Sequence, residues 1–392
     1  MNRNQIKELL ENPAHRSFIE AHLKEDYPKL LLRYSKDPLK RSLIEQIAQK
    51  QRIRKKLPTY YSRSDLYLAP SLNLSQSSSE ETAALKAKWI GEASSFCDLS
   101  AGFGIDFQAF ASKHSINTYV EPNPSLLEIA RYNLEQLKLP VKDFINQSAT
   151  EALALIDKQD FIYLDPSRRD ENQRGLIQIE DYQPNLLHIL ASIQAKCQKL
   201  LVKLSPMISI PDYLKKLEGL NEVWVISQRN ECKEVCFLFD FNQHSSLKTR
   251  TVNLETKGES YFEFHTQASA QVTIGAVQDY IYIPNASVLK ANGQDHLAEQ
   301  FELQKLDFNS NVFSSSRLIE NYPGKVFQCL IVDKPYAKNF HKKELNVVSR
   351  NFPDSAEFIA KKLKIKKSSQ DQYLIATQNQ QKAIFILAKQ LL

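Results

Sequence analysis

Four short stretches place polar side chains, glycines and a proline where a folded chain could turn them on a ligand. The first is Asp98-Leu99-Ser100-Ala101-Gly102-Phe103-Gly104-Ile105-Asp106, which follows an apolar run and precedes a helical pattern. Its glycines allow a tight turn and close approach of the backbone to a bound molecule. The spacing is not G-x-G-x-x-G, and no lysine follows as in a phosphate-binding loop. Asp98 at the strand end disfavours a diphosphate, which seeks positive potential at a helix start, and suits a cationic ligand instead. A plain strand-to-helix turn is the alternative. The second stretch is Glu121 in YVEPNP, at the end of the next strand. A carboxylate there can accept both hydroxyls of a ribose. The third is Asn146-Gln147-Ser148, where Gln147 could bond a base edge or simply begin a polar loop.

The fourth is Asp165-Pro166-Ser167-Arg168-Arg169-Asp170, directly after the apolar run FIYL. The carboxylate of Asp165 can accept a hydrogen bond from an exocyclic amine. The rigid turn after Pro166 offers a backbone carbonyl as a second acceptor. Together they would align a nitrogen lone pair with an electrophile, which is catalysis mainly by positioning. Arg168 and Arg169 could hold a phosphate or stack on a base. The alternative is a strand-ending turn with two surface arginines. Upstream, Gln76-Ser77-Ser78-Ser79-Glu80 reads either as a segment closing over the ligand or as a helix N-cap.

The elements that must position these residues alternate along the chain. SFCDLS, NTYVEPN, DFINQS, DFIYLDPS and KLLVKLSP read as strands. Between them FQAFASKH, PSLLEIARYNLEQLKL and YQPNLLHILASIQAKCQKL read as helices, and IPDYLKKLEGL follows as another. Such alternation predicts a doubly wound, mainly parallel sheet. Ligands of open α/β sheets gather beyond the carboxyl ends of the strands, where all four motifs stand. VWVISQR and EVCFLFDF leave no room for a crossover helix between them, so they should form an antiparallel hairpin at the sheet edge. Residues 1–80 read as amphipathic, basic helices. Strands at TVNLETKGESYFEFHT, a strand and helix in IYIPNASVLKAN, a loop over Leu306–Leu318 and a strong strand KVFQCLIVDKP come later. The tail is strand, helix, strand, strand.

At 392 residues the chain calls for two or three domains. The reading divides it into 1–80, 81–245, 246–325 and 326–392. No run is long and apolar enough for a membrane span, and the polar start lacks a signal-peptide core. A cytoplasmic location is expected by default. The cysteines Cys97, Cys197, Cys232, Cys236 and Cys329 are odd in number and scattered, which speaks against a disulfide framework. Cys232 and Cys236 have no second pair at zinc-ligand spacing, so no metal is expected. A formal charge of +6 permits nucleic-acid binding without demanding it.

With QSSSEETAALKAKW, DLSAGFGID, YVEPNP, YLDPSRRD, VKLSPMISI and the tail NVVSRNFPDSAEFIAKKLKIKK, the chain from about residue 50 onward resembles a known family. This family is the bacterial class I S-adenosylmethionine-dependent methyltransferases with a C-terminal THUMP-like domain. The resemblance implies an α/β fold: a Rossmann-like methyltransferase sheet with a helical N-terminal region and a small α+β C-terminal domain. It also implies a ferredoxin-like segment around IYIPNASVLK. It implies S-adenosylmethionine as cofactor, with Asp98, Gly102, Gly104 and Glu121 holding it. The cationic amino group of its methionine moiety fits the acid at Asp98. Gln76, Ser78, Ser100, Asp106 and Gln147 complete the expected cofactor set, and Asp165, Pro166, Ser167 and Arg168 form the expected catalytic turn. The turn is similar to the D-P-P-x segment of amino-group and RNA methyltransferases, with Ser167 in place of the second proline. THUMP domains bind RNA, so tRNA or rRNA is the implied partner. Lys361, Lys362, Lys364, Lys366 and Lys367, with Lys342, Lys343 and Arg350, read as a backbone-facing patch or as an ordinary solvated surface.

Methylation at C5 of a pyrimidine requires a poised thiol, and neither LVKLSPMISI nor DPSRRD contains a cysteine. Amino-group methylation of a base needs none and is the leading expectation. Two others stay open: methylation of a protein or small molecule, and an RNA-binding protein with a vestigial cofactor fold.

Overall fold

The structure is a computed structural model describing residues 2–166, 182–243, 245–256 and 258–391. The chain divides into two units, residues 1–220 with 237–244 and residues 221–236 with 245–392.

The first unit opens with helices whose starts are written in the sequence. Helix α1 spans Arg3–Leu10, α2 Pro13–His22, α3 Tyr27–Arg33 and α4 Pro38–Ile53. Asn2, Asn12, Asp26 and Asp37 cap them through their side chains, and in the last three a proline occupies the first turn, where no amide is needed. Short helices α5 (Pro58–Ser62) and α6 (Ser71–Gln76) lead to α7 (Glu80–Ile90). The apolar faces of these helices pack into one core with the segment that follows. Ile6, Leu10, Ile19, Leu30, Ile44, Ile47 and Tyr60 share one core with Phe103, Ile105, Leu126, Ile129 and Tyr132.

Lys50 of α4 is 1% exposed within that core and donates to the carbonyls of Tyr60 and Arg63, both at 2.6 Å. Burial pushes its ammonium from the ordinary 10.5 down to about 8. Between those values the unfolded chain still holds a proton that the folded chain has released, so stability rises with pH across the window. Lys50→Met should abolish that rise and cost about 1–3 kcal/mol at neutral pH through two unpaired buried carbonyls. Urea unfolding across pH 7–10.5 checks both, and an unchanged pH slope would contradict the assignment.

Strand β1 (Ala93–Asp98), helix α8 (Ile105–Ala111), β2 (His114–Val120), α9 (Pro124–Gln136), β3 (Asp143–Ile145), α10 (Ala149–Leu155) and β4 (Gln159–Leu164) follow. Helix α11 (Leu186–Gln194), β5 (Cys197–Leu204) and the short α12 (Ile210–Leu214) complete the alternation. The strands of this unit lie in the order β3-β2-β1-β4-β5, with the end of β7 (Glu231–Asp240) beside β5. The pairs β1–β2, β2–β3, β1–β4 and β4–β5 are parallel. Chain order reverses between β1 and β4, so a crevice opens at their carboxyl ends.

In the second unit β6 (Glu222–Gln228) meets the start of β7 across Arg229 and Asn230, both left-handed, at φ 52° and 61°. Two left-handed residues make a hairpin turn that follows the strand twist. The hairpin is not at the sheet edge, contrary to expectation. Strand β8 (Lys248–Glu255) runs parallel to β6, and β9 (Gly258–His265) pairs antiparallel outside it. A seven-stranded sheet follows, built from β10 (Tyr280–Pro284), β11 (Gln304–Lys305), β12 (Phe313–Ser315), β13 (Gly324–Asp333), β14 (Asn346–Ser349), β15 (Gln372–Asn379) and β16 (Lys382–Gln390). Its order is β11-β12-β10-β13-β16-β15-β14. Strand β12 lies in the stretch expected as loop. Helices α13 (Ala286–Lys290), α14 (Gln294–Gln300) and α15 (Ala356–Leu363) belong to this unit. Among the described residues, no helix is long and apolar enough to cross a membrane.

Candidate active site

The turn from β1 to α8 is held open by backbone that only glycine adopts readily. Gly102 and Gly104 stand at φ +59° and +88°, and a β-carbon on Gly104 would lie 3.2 Å from Tyr119 Oη. That hydroxyl donates to the carbonyl of Gly102 at 2.7 Å and fixes the turn against β2. Glu121, one residue past β2, accepts from the amide of Gly102 at 3.0 Å through one oxygen and from that of Asn123 at 2.8 Å through the other. Each oxygen keeps a lone pair beyond these bonds, the arrangement a vicinal diol needs. Ser100 Oγ accepts from the amide of Asp165 at 2.6 Å and so ties the ends of β1 and β4 together.

A cavity of about 450 Å³ lies above these strand ends. Gln76, Ser78, Asp98, Ser100, Gly102, Gly104, Asp106, Glu121, Asp165 and Pro166 all line it. The sequence-derived set is thereby brought together from α6, the α6–α7 connection and three strand ends. Gln147 is the exception, since it is exposed and does not line the cavity. Its neighbour Asn146 turns back instead, donating to the carbonyls of Glu121 and Pro122 at 2.8 and 2.9 Å, while Ser148 caps α10. Ser167 and Arg168, like Arg169, lie outside the described residues. Lys203, Ser205 and Met207, at and beyond the end of β5, also line the cavity and were not expected there. A lysine inside the apolar strand KLLVKLSP was the available signal.

The charges are distributed unevenly. Asp98 is 1% exposed; its Oδ1 accepts from the amide of Ser100 at 2.9 Å, and its Oδ2 has no hydrogen-bond partner among the described residues. Burial raises its pKa well above the ordinary value, opposed by the Ser100 amide and reinforced by Asp106 and Asp165. Burial also raises Glu121, against the two amides it accepts from. Asp106 is the opposite case. Burial opposes its charge, but Lys86 at 2.8 Å and Lys203 at 3.5 Å outweigh that and hold the carboxyl well below its usual range. Ser78 and Tyr163 donate to it at 2.7 and 2.8 Å. Asp165 is raised by burial in spite of Lys203, whose ammonium lies 2.6 Å from its Oδ2.

The sheet with its switch between β1 and β4 is the Rossmann-like sheet of class I methyltransferases. Over 100% of both chains, the structure is similar to that of a candidate methyltransferase from Porphyromonas gingivalis W83, with a TM-score of 0.85 and 25% identity. Residues 280–323 match the family model of a ferredoxin-like domain, and residues 332–390 match a model described as THUMP domain-like. The chain is thus a class I methyltransferase-fold protein carrying a small ferredoxin-like segment and a C-terminal THUMP-like domain. A candidate RNA methyltransferase from Pyrococcus horikoshii matches 45% of this chain and 92% of its own, at 14% identity and a TM-score of 0.33. A candidate methyltransferase from Streptococcus mutans in complex with SAH matches 44% and 98%, at 12% and 0.30. Likenesses as weak as these two carry no weight. No curated protein matches the sequence.

Proposed function

We propose that the chain is an S-adenosylmethionine-dependent methyltransferase that methylates an amino group of a base in structured RNA, tRNA or rRNA. The observation that carries the cofactor reading is the buried Oδ2 of Asp98, without a partner among the described residues, on the wall of a cavity that Glu121 also lines. A buried polar atom without a partner is costly. The ammonium of a methionine moiety would supply that partner, and Glu121 would take the ribose hydroxyls. When bound, S-adenosylmethionine supplies an electrophilic methyl group on a sulfonium. Gly102 and Gly104 let the backbone approach it, and Gln76 and Ser78 border it from the α6 side. Asp165 then accepts a hydrogen bond from the substrate amine and turns its lone pair toward the methyl. Pro166 stiffens that turn, and Ser167 and Arg168 complete it in this reading.

The RNA reading is supported by the THUMP-like domain. Its backbone joins Lys342 to Leu363 at 2.9 Å and Lys366 to Lys343 at 3.0 Å, which sets two lysine-bearing segments side by side. Lys342, Lys343, Lys361, Lys362, Lys364, Lys366, Lys367 and Arg350 are all exposed. Such a patch suits a phosphate backbone. The test is mass spectrometry of nucleosides from total RNA of a strain lacking the gene. One methylated base should vanish and return when purified protein and S-adenosylmethionine are added to that RNA. An unchanged profile would refute the RNA substrate.

A further inference from the structure

Asp165 does not stand alone at the end of β4. Lys203, in the neighbouring strand β5, is 7% exposed and holds Asp165 Oδ2 at 2.6 Å. The same ammonium lies 3.1 Å from Ser78 Oγ and 3.5 Å from Asp106 Oδ2. Behind it, Lys86 of α7 is wholly buried, 2.8 Å from Asp106 and 3.0 Å from Ser78 Oγ. Tyr163 closes the group from β4 by donating to Asp106. Two ammonium groups and two carboxylates balance, while Asp98 faces the same cavity from β1. Burying this many charges costs free energy that an apolar side chain at 203 would avoid. Asp106 already has a buried cation in Lys86, so neutralising Asp106 does not require Lys203. Among the described residues, the cation that reaches Asp165 is Lys203.

We propose that Lys203 is a positioning residue of the transfer site: it fixes the Asp165 carboxylate by one oxygen and cancels its charge beside the bound methyl donor. This inference rests on the S-adenosylmethionine reading. It has a consequence that needs no knowledge of the substrate. S-adenosylmethionine carries a positive sulfonium where its demethylated product, S-adenosylhomocysteine, carries a neutral thioether. A lone ammonium in the cavity wall disfavours the first relative to the second, and an adjacent carboxylate offsets this.

Calorimetric titration of both ligands into four proteins tests the pair. Asp165→Asn keeps the shape of the side chain but removes the nearer of the two carboxylates at Lys203 and leaves Asp106, which Lys86 also holds. The net charge of the wall then rises by one, and the affinity ratio should shift toward S-adenosylhomocysteine by about five- to tenfold. Adding Lys203→Met to Asp165→Asn should return the ratio to within about twofold of the wild type, the signature of coupled sites. Lys203→Arg alone should keep the wild-type ratio. Should the methionine variant fail to fold, Lys203→Gln, which retains a polar contact to Ser78, serves the same arm. An unshifted ratio in Asp165→Asn, or the same shift with and without Lys203, would overturn the inference and leave Lys203 a packing residue. Wild-type protein that binds neither ligand would instead overturn the cofactor reading, and the inference with it.

Discussion

Asp98→Asn should weaken S-adenosylhomocysteine binding by about ten- to a hundredfold, the worth of one charge-assisted hydrogen bond. Asparagine keeps the Oδ1 acceptor for the Ser100 amide but replaces the unpartnered Oδ2 with a donor that repels an ammonium. The ligand-free protein should lose little stability, because the change keeps the bond to the Ser100 amide and alters an oxygen that has no partner among the described residues. Wild-type binding should also tighten as pH rises through the titration of Asp98, since its raised pKa means a proton must leave before a cation can be held. The asparagine variant should lack that dependence. Asp165→Ala should do the reverse, lowering methyl transfer by about a hundredfold or more while keeping S-adenosylhomocysteine affinity within about twofold. Calorimetry on both variants, with transfer to RNA from the deletion strain, checks the contrast. Equal losses of binding in both would mean that the two acids do not divide the work this way.

The second large effect concerns stability. Asp106→Asn removes the carboxylate that Lys86 and Lys203 share, and Lys86 has no solvent to fall back on. Breaking a buried pair on one side costs about 3–5 kcal/mol. Replacing Lys86 and Asp106 together by methionine and leucine should recover most of that, because the cost lies in the stranded charge and not in lost packing. Denaturant unfolding of the single and double variants measures the difference. A single-variant loss below about 1 kcal/mol would show that water or a neighbouring group relieves Lys86. The wild-type pair should also persist deep into acid: the Asp106 carboxyl is held low, so its contribution is present above the unfolded value of 3.8 and fades only as pH falls through the lower folded one.

What the sequence revealed of this site was what neighbours along the chain decide. Gly102 and Gly104 mark a turn wherever they stand, and Asp98, Glu121 and Asp165 each end an apolar run. The rule that ligands gather at such ends brought them to one cavity before any distance was known. Lys203 escaped because its meaning depends on β5 lying beside β4, and Lys86 because α7 must first be laid against α8. Gln147 missed the cavity because the residues beside it are committed elsewhere, Asn146 to the carbonyls of Glu121 and Pro122 and Ser148 to the cap of α10. The hairpin of β6 and β7 was legible from its short connection. That connection says nothing about the other side of β6, where β8 pairs in parallel from about 20 residues further on. The amphipathic pattern of the first helices disclosed a buried face, but not that the face belongs to the same core as Phe103 and Ile105.

That shared core has a practical bearing on how the protein can be dissected. The underside of the glycine turn is upholstered by the first four helices, so the cofactor platform has no foundation of its own. A fragment cut to begin at α6 would keep every residue assigned to the pocket. It would still leave Phe103, Ile105, Leu126 and Ile129 facing water, and the turn they anchor would lose its shape. In this chain the catalytic sheet is not a portable module: its leading helices are part of the floor on which the methyl donor would rest.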